Sequence, residues 1–409
     1  MGKLKDGVMK RGKTWSYVIR VIDPDTGVSK PKWVGGFAEE DDAKEARDEA
    51  RRAARRGEYV DRNAITVAEF LGDWLDAHSL EVKPRTLDGY RYLVRQYISP
   101  RIGHMRLQAV RPSTLSGLYR ELLAGGGRGG AKLSRRTVDF VHAVLRKAFN
   151  DAVRSDQLLA SNPAERAKRP RREQRGPIEV WTAEELRRFL DVMSEHRLFA
   201  FYRLAAYSGA RRGELLNLRW PDIDWNAPAV RIRGSVGMVA GERIEGTTKG
   251  GRERVVSLDA GTVEVLRAHR RQQLADIDVA GAAWLDSGHV FTNGLGRPIY
   301  PDSVSQLMAK SIKAYNEPED PTHRPEHPLP HARLHDLRHV HATMLLVAGV
   351  PVHVVADRLG HADPAVTLRV YAHVIRQHAA GIADVFAAAV DESADDPDEG
   401  PAAAALVPS

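Results

Sequence analysis

The spacing of apolar residues changes character several times along the chain. Trp15-Ser16-Tyr17-Val18-Ile19-Arg20-Val21 is rich in β-branched and aromatic residues, and Lys32-Trp33-Val34 opens a second such run. Asp23-Pro24-Asp25-Thr26-Gly27 between them is a turn signal, so residues 8–37 read as a small β-unit. Residues 39–56 are rich in Ala, Glu and Arg and hold neither Pro nor Gly, which predicts a helix. From residue 66 the period becomes helical. Thr66-Val67-Ala68-Glu69 is a capping box, followed by Phe70, Leu71, Trp74 and Leu75 on one face. Further helices are expected over 84–98 (Leu87, Tyr90, Val94, Ile98 inward), over 112–123, and over 134–155 (Val138, Val141, Leu145, Phe149 inward). The glycine-rich stretch 125–130 reads as a flexible loop. A second capping box, Thr182-Ala183-Glu184-Glu185, opens a helix with Leu186, Phe189, Leu190 and Met193 inward. Residues 178–390 read as mostly helical, interrupted by short β-runs at Val230-Arg231-Ile232-Arg233, Arg243-Ile244 and Arg254-Val255-Val256-Ser257-Leu258.

The expectation is a multidomain, mainly α protein. It comprises an N-terminal α+β module (1–62), an all-helical domain (66–163), a basic linker (164–177), a larger helical domain with a small β-sheet (178–390) and an acidic disordered tail (391–409). The linker assignment rests on Arg166-Ala167-Lys168-Arg169-Pro170-Arg171-Arg172-Glu173-Gln174-Arg175, which is too hydrophilic for a core. It reads either as a solvated spacer or as a strap along a phosphate backbone.

Charge sharpens this picture. The chain carries +7, but no Lys or Arg follows Arg376, while seven acids do. Residues 1–376 hold 61 basic and 47 acidic residues, a net of +14. A basic body of that size points to a polyanionic partner such as nucleic acid. The absence of cysteine excludes disulfides, thiolate metal sites and cysteine nucleophiles, and fits the bacterial cytoplasm. No run of about 18 apolar residues occurs, so no membrane span is expected. The first five residues lack the apolar stretch of a secretory leader.

Four stretches carry candidate chemistry. They are Tyr207-Ser208-Gly209-Ala210-Arg211-Arg212-Gly213-Glu214, Thr248-Lys249-Gly250-Gly251-Arg252-Glu253-Arg254, Leu334-His335-Asp336-Leu337-Arg338-His339-Val340-His341, and Leu359-Gly360-His361 with Tyr371 ten residues on. Taken singly, each has an ordinary reading. A His-x-x-Arg pair shares one helix face, a lone helical Tyr is commonly a core residue, and Lys249 beside two glycines suits any exposed hairpin.

Taken in this order, the set resembles the signature of the tyrosine recombinases, the phage integrase family: Arg, Lys, His-x-x-Arg, His or Trp, and Tyr within one catalytic domain. The resemblance is close around 211–220 and 335–343, and covers about 178–390. It implies that residues 66–163 bind a core DNA site and that residues 1–62 bind an arm-type site. It further implies DNA strand cleavage and rejoining at double-stranded attachment sites by a homotetramer, with a directionality factor or host DNA-bending protein as accessory partners and neither metal nor cofactor.

The chemistry accounts for the residue types. Arg211 and Arg338 would clamp the non-bridging oxygens of a phosphodiester, where charge builds up during in-line attack. Tyr371 would be the nucleophile and His335 its base, while His361 would hydrogen-bond a phosphate oxygen. Lys249 would protonate the departing 5′-oxygen. Glu214 is expected to orient Arg211 or another site residue, with plain helix surface as the alternative. Arg212 is expected to point elsewhere, and His339 and His341 to be structural. The apolar pattern of 379–389 (Ile382, Val385, Phe386) suits a helix docking on a neighbouring protomer or on its own domain. Three other readings compete: a zinc enzyme built on His335 and His339 at i, i+4 spacing, a DNA-binding protein that no longer cuts, and a type IB topoisomerase.

Overall fold

A computed structural model describes residues 6–22, 28–55, 59–60, 63–169, 180–248, 250–361, 363–365, 367, 368, 371 and 387. The expected turn at 23–27, Lys249, most of the basic linker and, Ala387 apart, the 379–389 segment and the acidic tail lie outside these residues. The chain divides into two units, residues 1–173 and 174–409.

The first unit opens with a three-stranded antiparallel sheet, β1 (Val8–Arg11), β2 (Thr14–Ile22) and β3 (Ser29–Phe37), in the order β1-β2-β3. Helix α1 (Glu40–Arg55) packs on it, closing a small core of Val8, Tyr17, Ile19, Ala43 and Ala50. Strand alternation sends Tyr17 and Ile19 to one face. Away from that core, the Arg11 guanidinium stacks 4.1 Å from the Trp33 ring centroid.

A helical domain follows: α2 (Val67–His78), α3 (Pro84–Leu93), α4 (Ser99–Ile102), α5 (Pro112–Gly125), α6 (Arg135–Arg154) and α7 (Pro163–Arg166). The capping box at Thr66 and Glu69 forms as the sequence predicts. The helix expected over 84–98 continues to Ile102 through a π-turn, Val94–Ile98. Pro100 explains that turn. Its nitrogen has no proton to donate, and the Ser99 N–H bonds five residues back to Val94 O, so the wider turn accommodates the ring. Helix α6 buries Val138, Val141, Leu145, Ala148, Phe149 and Ala152 at the centre of this domain. Truncating Phe149 to Ala would cost about 3–5 kcal/mol. The glycine-rich segment forms a compact turn in which Gly127 N–H bonds to Ala131 O at 2.7 Å. The helical core also extends past residue 163. Ala164 is fully buried in it, and Lys168 N–H donates to Ser116 Oγ at 2.9 Å.

The second unit is built on α8 (Ala183–Val192), α9 (Phe199–Ser208) and α10 (Arg212–Leu215). Strands β4 (Ile223–Asp224) and β5 (Ala229–Ile232) come next, then the hairpin β6 (Gly234–Val239) and β7 (Glu242–Thr247), then β8 (Arg254–Ser257). Further helices among the described residues are α11 (Ala260–Ala280), α12 (Pro301–Asn316), α13 (Asp336–Val347) and α14 (Val352–Leu359). The expected β-region is thus two sheets, an antiparallel β4-β5-β8 and a separate β6-β7 hairpin. Helix α9 is apolar nearly all round, with Phe201, Tyr202, Leu204, Ala205 and Ala206 buried, and it packs against α11 and α13. It is the post on which the second unit is assembled. No helix among the described residues is long and apolar enough to cross a membrane.

One buried polar pair in the helical domain makes its stability sensitive to acid. The Tyr119 hydroxyl lies 3.0 Å from His142 Nδ1, within hydrogen-bonding distance, and both side chains are buried. Burial, and then the Arg169 and Arg146 charges, push the His142 imidazole down to about 4. A histidine with a depressed folded-state value stabilises the fold fully above about pH 6.5, and that contribution fades as pH falls toward 4. His142→Gln should therefore be less stable than wild type at pH 7, and the gap should shrink toward pH 4 in urea denaturation followed by circular dichroism.

Candidate active site

Two left-handed glycines set the site's geometry. Helix α9 ends at Gly209 (φ 61°) and α14 at Gly360 (φ 68°). A β-carbon at Gly209 would stand 2.7 Å from the His341 ring, and one at Gly360 would stand 2.7 Å from Arg254 Nη1. Only glycine combines that backbone with such close neighbours. The first cap delivers the chain to Arg211, which is extended and serves as the N-cap of α10. The second delivers it to His361, whose N–H bonds back to Ala356 O at 2.9 Å.

Glu214 lies beneath Arg211 and is 1% exposed. Its carboxylate accepts from Arg211 N–H and Nη1, both at 2.8 Å, and from Arg254 Nη1 and Nη2 at 3.2 and 2.6 Å. Burial alone would raise its titration point, but the Arg254 hydrogen bonds and charge, then those of Arg211, hold it below the usual carboxylate value. The expectation that Glu214 orients Arg211 holds, and plain helix surface does not.

Arg338 projects from α13 and is 3% exposed. Its Nη1 donates to Gly209 O at 2.7 Å, while its buried Nη2 has no hydrogen-bond partner among the described residues. Burial, then the Arg211 charge, pushes it down to about 9, so it remains charged at neutral pH. Arg211 Nη2 reaches Gly360 O at 3.3 Å, which ties the first arginine to the turn that carries His361. His361 is half-buried, and its Nδ1 lies 2.6 Å from Thr367 Oγ1. Burial, then the Arg338 and Arg211 charges, push it down to about 4.

His335 opens α13 with its surface exposed, although surrounding protein still strips much of its hydration. That desolvation, then His339 and Arg338, push it down to about 4. Its ring stands edge-on to His339, with centroids 5.2 Å apart. Tyr371 is 2% exposed, packed among Ala342, Val355 and Leu359. Burial raises its phenol to about 12, against the opposing pull of Arg338. Its hydroxyl lies 2.7 Å from His339 Nδ1.

The structure thus gathers Arg211, His335, Arg338, His361 and Tyr371, and Lys249 alone of the six candidates lies outside the described residues. Its neighbours Thr248 and Gly251 close a turn between β7 and β8 (Gly251 N–H to Thr248 O, 3.1 Å). Arg212 points away, to Asp302 and Ser305. His341 is structural, accepting from Arg358 Nε at 3.0 Å. His339, expected to be structural, has its Nδ1 in contact with the Tyr371 hydroxyl. His335 and His339 belong to no cluster of three metal-ligating side chains among the described residues.

Sequence reasoning also missed Arg254. The signal was present. In β8 the side chains alternate, Val256 is buried and Val255 exposed, so Arg254 shares the inward face. Likewise His335, Arg338, His339 and Ala342 fall at i, i+3, i+4 and i+7, one face of α13.

A double-mutant series tests the shared carboxylate. Glu214→Gln leaves two guanidiniums without their counter-charge and should destabilise the fold by about 3–5 kcal/mol. Adding Arg254→Met removes one orphaned charge and should recover part of that loss in urea denaturation. A double variant no more stable than Glu214→Gln would show that the network does not carry this energy.

Comparison with known proteins gives the family. Residues 179–378 match the phage integrase family, residues 66–123 its N-terminal SAM-like domain, and residues 8–52 an arm DNA-binding domain. The chain is 28% identical to a "Tyrosine recombinase XerC-like" protein of Caldanaerobacter subterraneus subsp. tengcongensis, over 91% of this chain and 95% of that one. Its fold is similar to that of the Tn1549 transposon integrase in complex with transposon right end DNA (TM-score 0.63, 18% identity, 79% of this chain and 99% of that one). It is also similar to a lambda integrase tetramer bound to a Holliday junction (TM-score 0.52, 16% identity, 90% and 95%). With three matched segments in the family's order and a full-length relative, this chain belongs to the phage integrase family of tyrosine recombinases.

Proposed function

We propose that this chain is the integrase of a phage or other mobile element, acting on double-stranded DNA attachment sites. The observation that carries this reading is the unsatisfied Arg338 Nη2, buried beside Arg211 with one carboxylate serving the group. A buried guanidinium nitrogen left without an acceptor is costly, and a phosphodiester oxygen supplies what it lacks.

In this reading Arg211 and Arg338 hold the two non-bridging oxygens. His361, neutral at physiological pH, turns Nδ1 to Thr367 and so leaves Nε2 for a phosphate oxygen, a role that requires the proton on Nε2. Tyr371 Oη attacks phosphorus in line, and the 5′-oxygen leaves, protonated by Lys249. The products are a 3′-phosphotyrosyl bond and a free 5′-hydroxyl. The linkage retains the energy of the broken bond, so rejoining to a new strand needs no ATP. His335, open to solvent at the start of α13, adds a further donor or proton acceptor at the phosphate.

The domain roles follow the same reading. Residues 1–62 bind arm-type DNA and residues 66–163 the core site. Beyond α7, the basic stretch to residue 177 serves as a strap, 178–390 are catalytic, and 391–409 are an acidic tail. Four protomers assemble on two sites, with a directionality factor or host DNA-bending protein deciding the direction. This assembly is proposed by analogy with the lambda integrase tetramer on a Holliday junction.

The test that separates an integrase from a topoisomerase is a two-plasmid reaction with EDTA and no ATP. One plasmid carries the DNA flanking this chain's gene and the other carries host chromosomal DNA. Recombinant junctions are expected. Relaxed circles without junctions would support the topoisomerase reading instead. Arg338→Lys keeps the charge but loses the planar fork, and should reduce junction formation on the order of 100-fold.

A further inference from the structure

We propose that His339 takes the proton from Tyr371 during strand cleavage and returns it during rejoining. This inference rests on the reading of Tyr371 as the nucleophile, but goes beyond it in naming the proton's destination. The carrying observation is geometric. His339 Nδ1 lies 2.7 Å from the Tyr371 hydroxyl, and it is the hydrogen-bond partner the described residues provide for that oxygen. The two rings are tilted at 59° with centroids 5.8 Å apart, so they are not stacked face to face. Among the described residues, His335 touches this pair through its ring contact with His339.

Chemistry makes an acceptor at that position necessary. A phenol held at about 12 is ionised at pH 7 in only about one molecule in 10⁵. Attack by a pre-formed phenolate would waste most of the rate, whereas transfer to a neutral imidazole in contact requires none. The groups acting on His339 are the neighbouring His335 ring, Asp336, Arg338, Arg333 and Tyr371 itself. Burial first, then the Arg338 and Arg333 charges against the opposing pull of Asp336, keep the imidazole below its ordinary value, so it is neutral and able to accept.

The step balances. The Tyr371 O–H bond breaks and its proton moves to Nδ1, the Oη–P bond forms and the P–O5′ bond breaks. The electron pair of that last bond goes to O5′, which takes its proton from Lys249. In rejoining, an incoming 5′-hydroxyl gives its proton to Lys249 and attacks phosphorus, the P–Oη bond breaks with its electron pair going to Oη, and His339 returns its proton to that phenolate. His335 is then free to serve the phosphate, so the two histidines one helical turn apart divide the work assigned to one.

The experiment is single-turnover cleavage of nicked duplexes tiled across the DNA flanking the gene, with full-length protein, from pH 5 to 10. His339→Asn is the informative variant. Its amide oxygen can replace Nδ1 as hydrogen-bond acceptor and hold Tyr371 in place, but it cannot take a proton. We expect His339→Asn and His339→Gln to bind DNA as wild type does and to cleave on the order of 10²–10⁴-fold more slowly. Their rates should rise tenfold per pH unit through the alkaline range, as direct ionisation of the phenol takes over. A 5′-bridging phosphorothiolate substrate, whose sulfur leaves without a proton, should not restore them, whereas it should restore Lys249→Ala. Cleavage by folded His339→Asn within threefold of wild type, an unchanged pH profile, or restoration by the sulfur substrate would each overturn the proposal. Wild type forming no Tyr371 adduct would instead remove the underlying reading.

Discussion

Three buried or half-buried guanidiniums share one carboxylate in this protein. Arg211, Arg254 and Arg338 converge near Glu214, which hydrogen-bonds the first two and leaves the third partly unsatisfied. The excess positive charge is tolerated because much of it is hydrogen-bonded to backbone oxygens, at Gly209 for Arg338, Gly360 for Arg211 and Arg358 for Arg254. Those carbonyls are available only because α9 and α14 end in left-handed glycine turns. Fold and site are therefore one arrangement. The helix ends create the oxygens that hold the arginines, and the arginines create the demand for an anion.

The same logic explains the role of Arg358. It bridges His341, Ser257 and Tyr207, tying α13, β8 and the end of α9 together behind the site. Without that brace the two glycine turns would be free to shift relative to each other. A fixed clamp pays little reorganisation as charge develops on phosphate oxygens, which is how prearranged cations lower a barrier. The depressed titration points of His335, His339, His341 and His361 follow from the same crowding of positive charge and burial. They leave neutral imidazoles that can donate through one nitrogen and accept through the other.

Much of this was legible before the structure. Capping boxes at Thr66 and Thr182, and apolar spacing in α2, α6 and α8, located helices because local hydrogen bonding and one-sided burial act over a few residues. The motif residues Arg211, His335, Arg338, His361 and Tyr371 were identifiable as a set. What escaped was what depends on distant segments meeting. Arg254 is a counter-ion only because β8 lies beside α10 and α14. His339 was read as structural because nothing in its own helix says that a residue 32 positions later will bring a hydroxyl to it. The extension of α3 through a π-turn escaped for a different reason. Pro100 normally ends a helix, and here a one-residue widening absorbs it. The compact turn at Arg128–Gly130 shows the converse, since glycine-rich sequence permits order without requiring it.

The central claim is that an anion-seeking arginine pair holds a phosphodiester for attack by Tyr371. The most direct measurement is mass-spectrometric mapping of the covalent adduct trapped on a nicked duplex, in wild type and in Tyr371→Phe. The account predicts a single peptide bearing a 3′-linked nucleotide on Tyr371 in wild type and no adduct in Tyr371→Phe, with DNA binding unchanged. An adduct on any other residue, or one that persists in Tyr371→Phe, would contradict it.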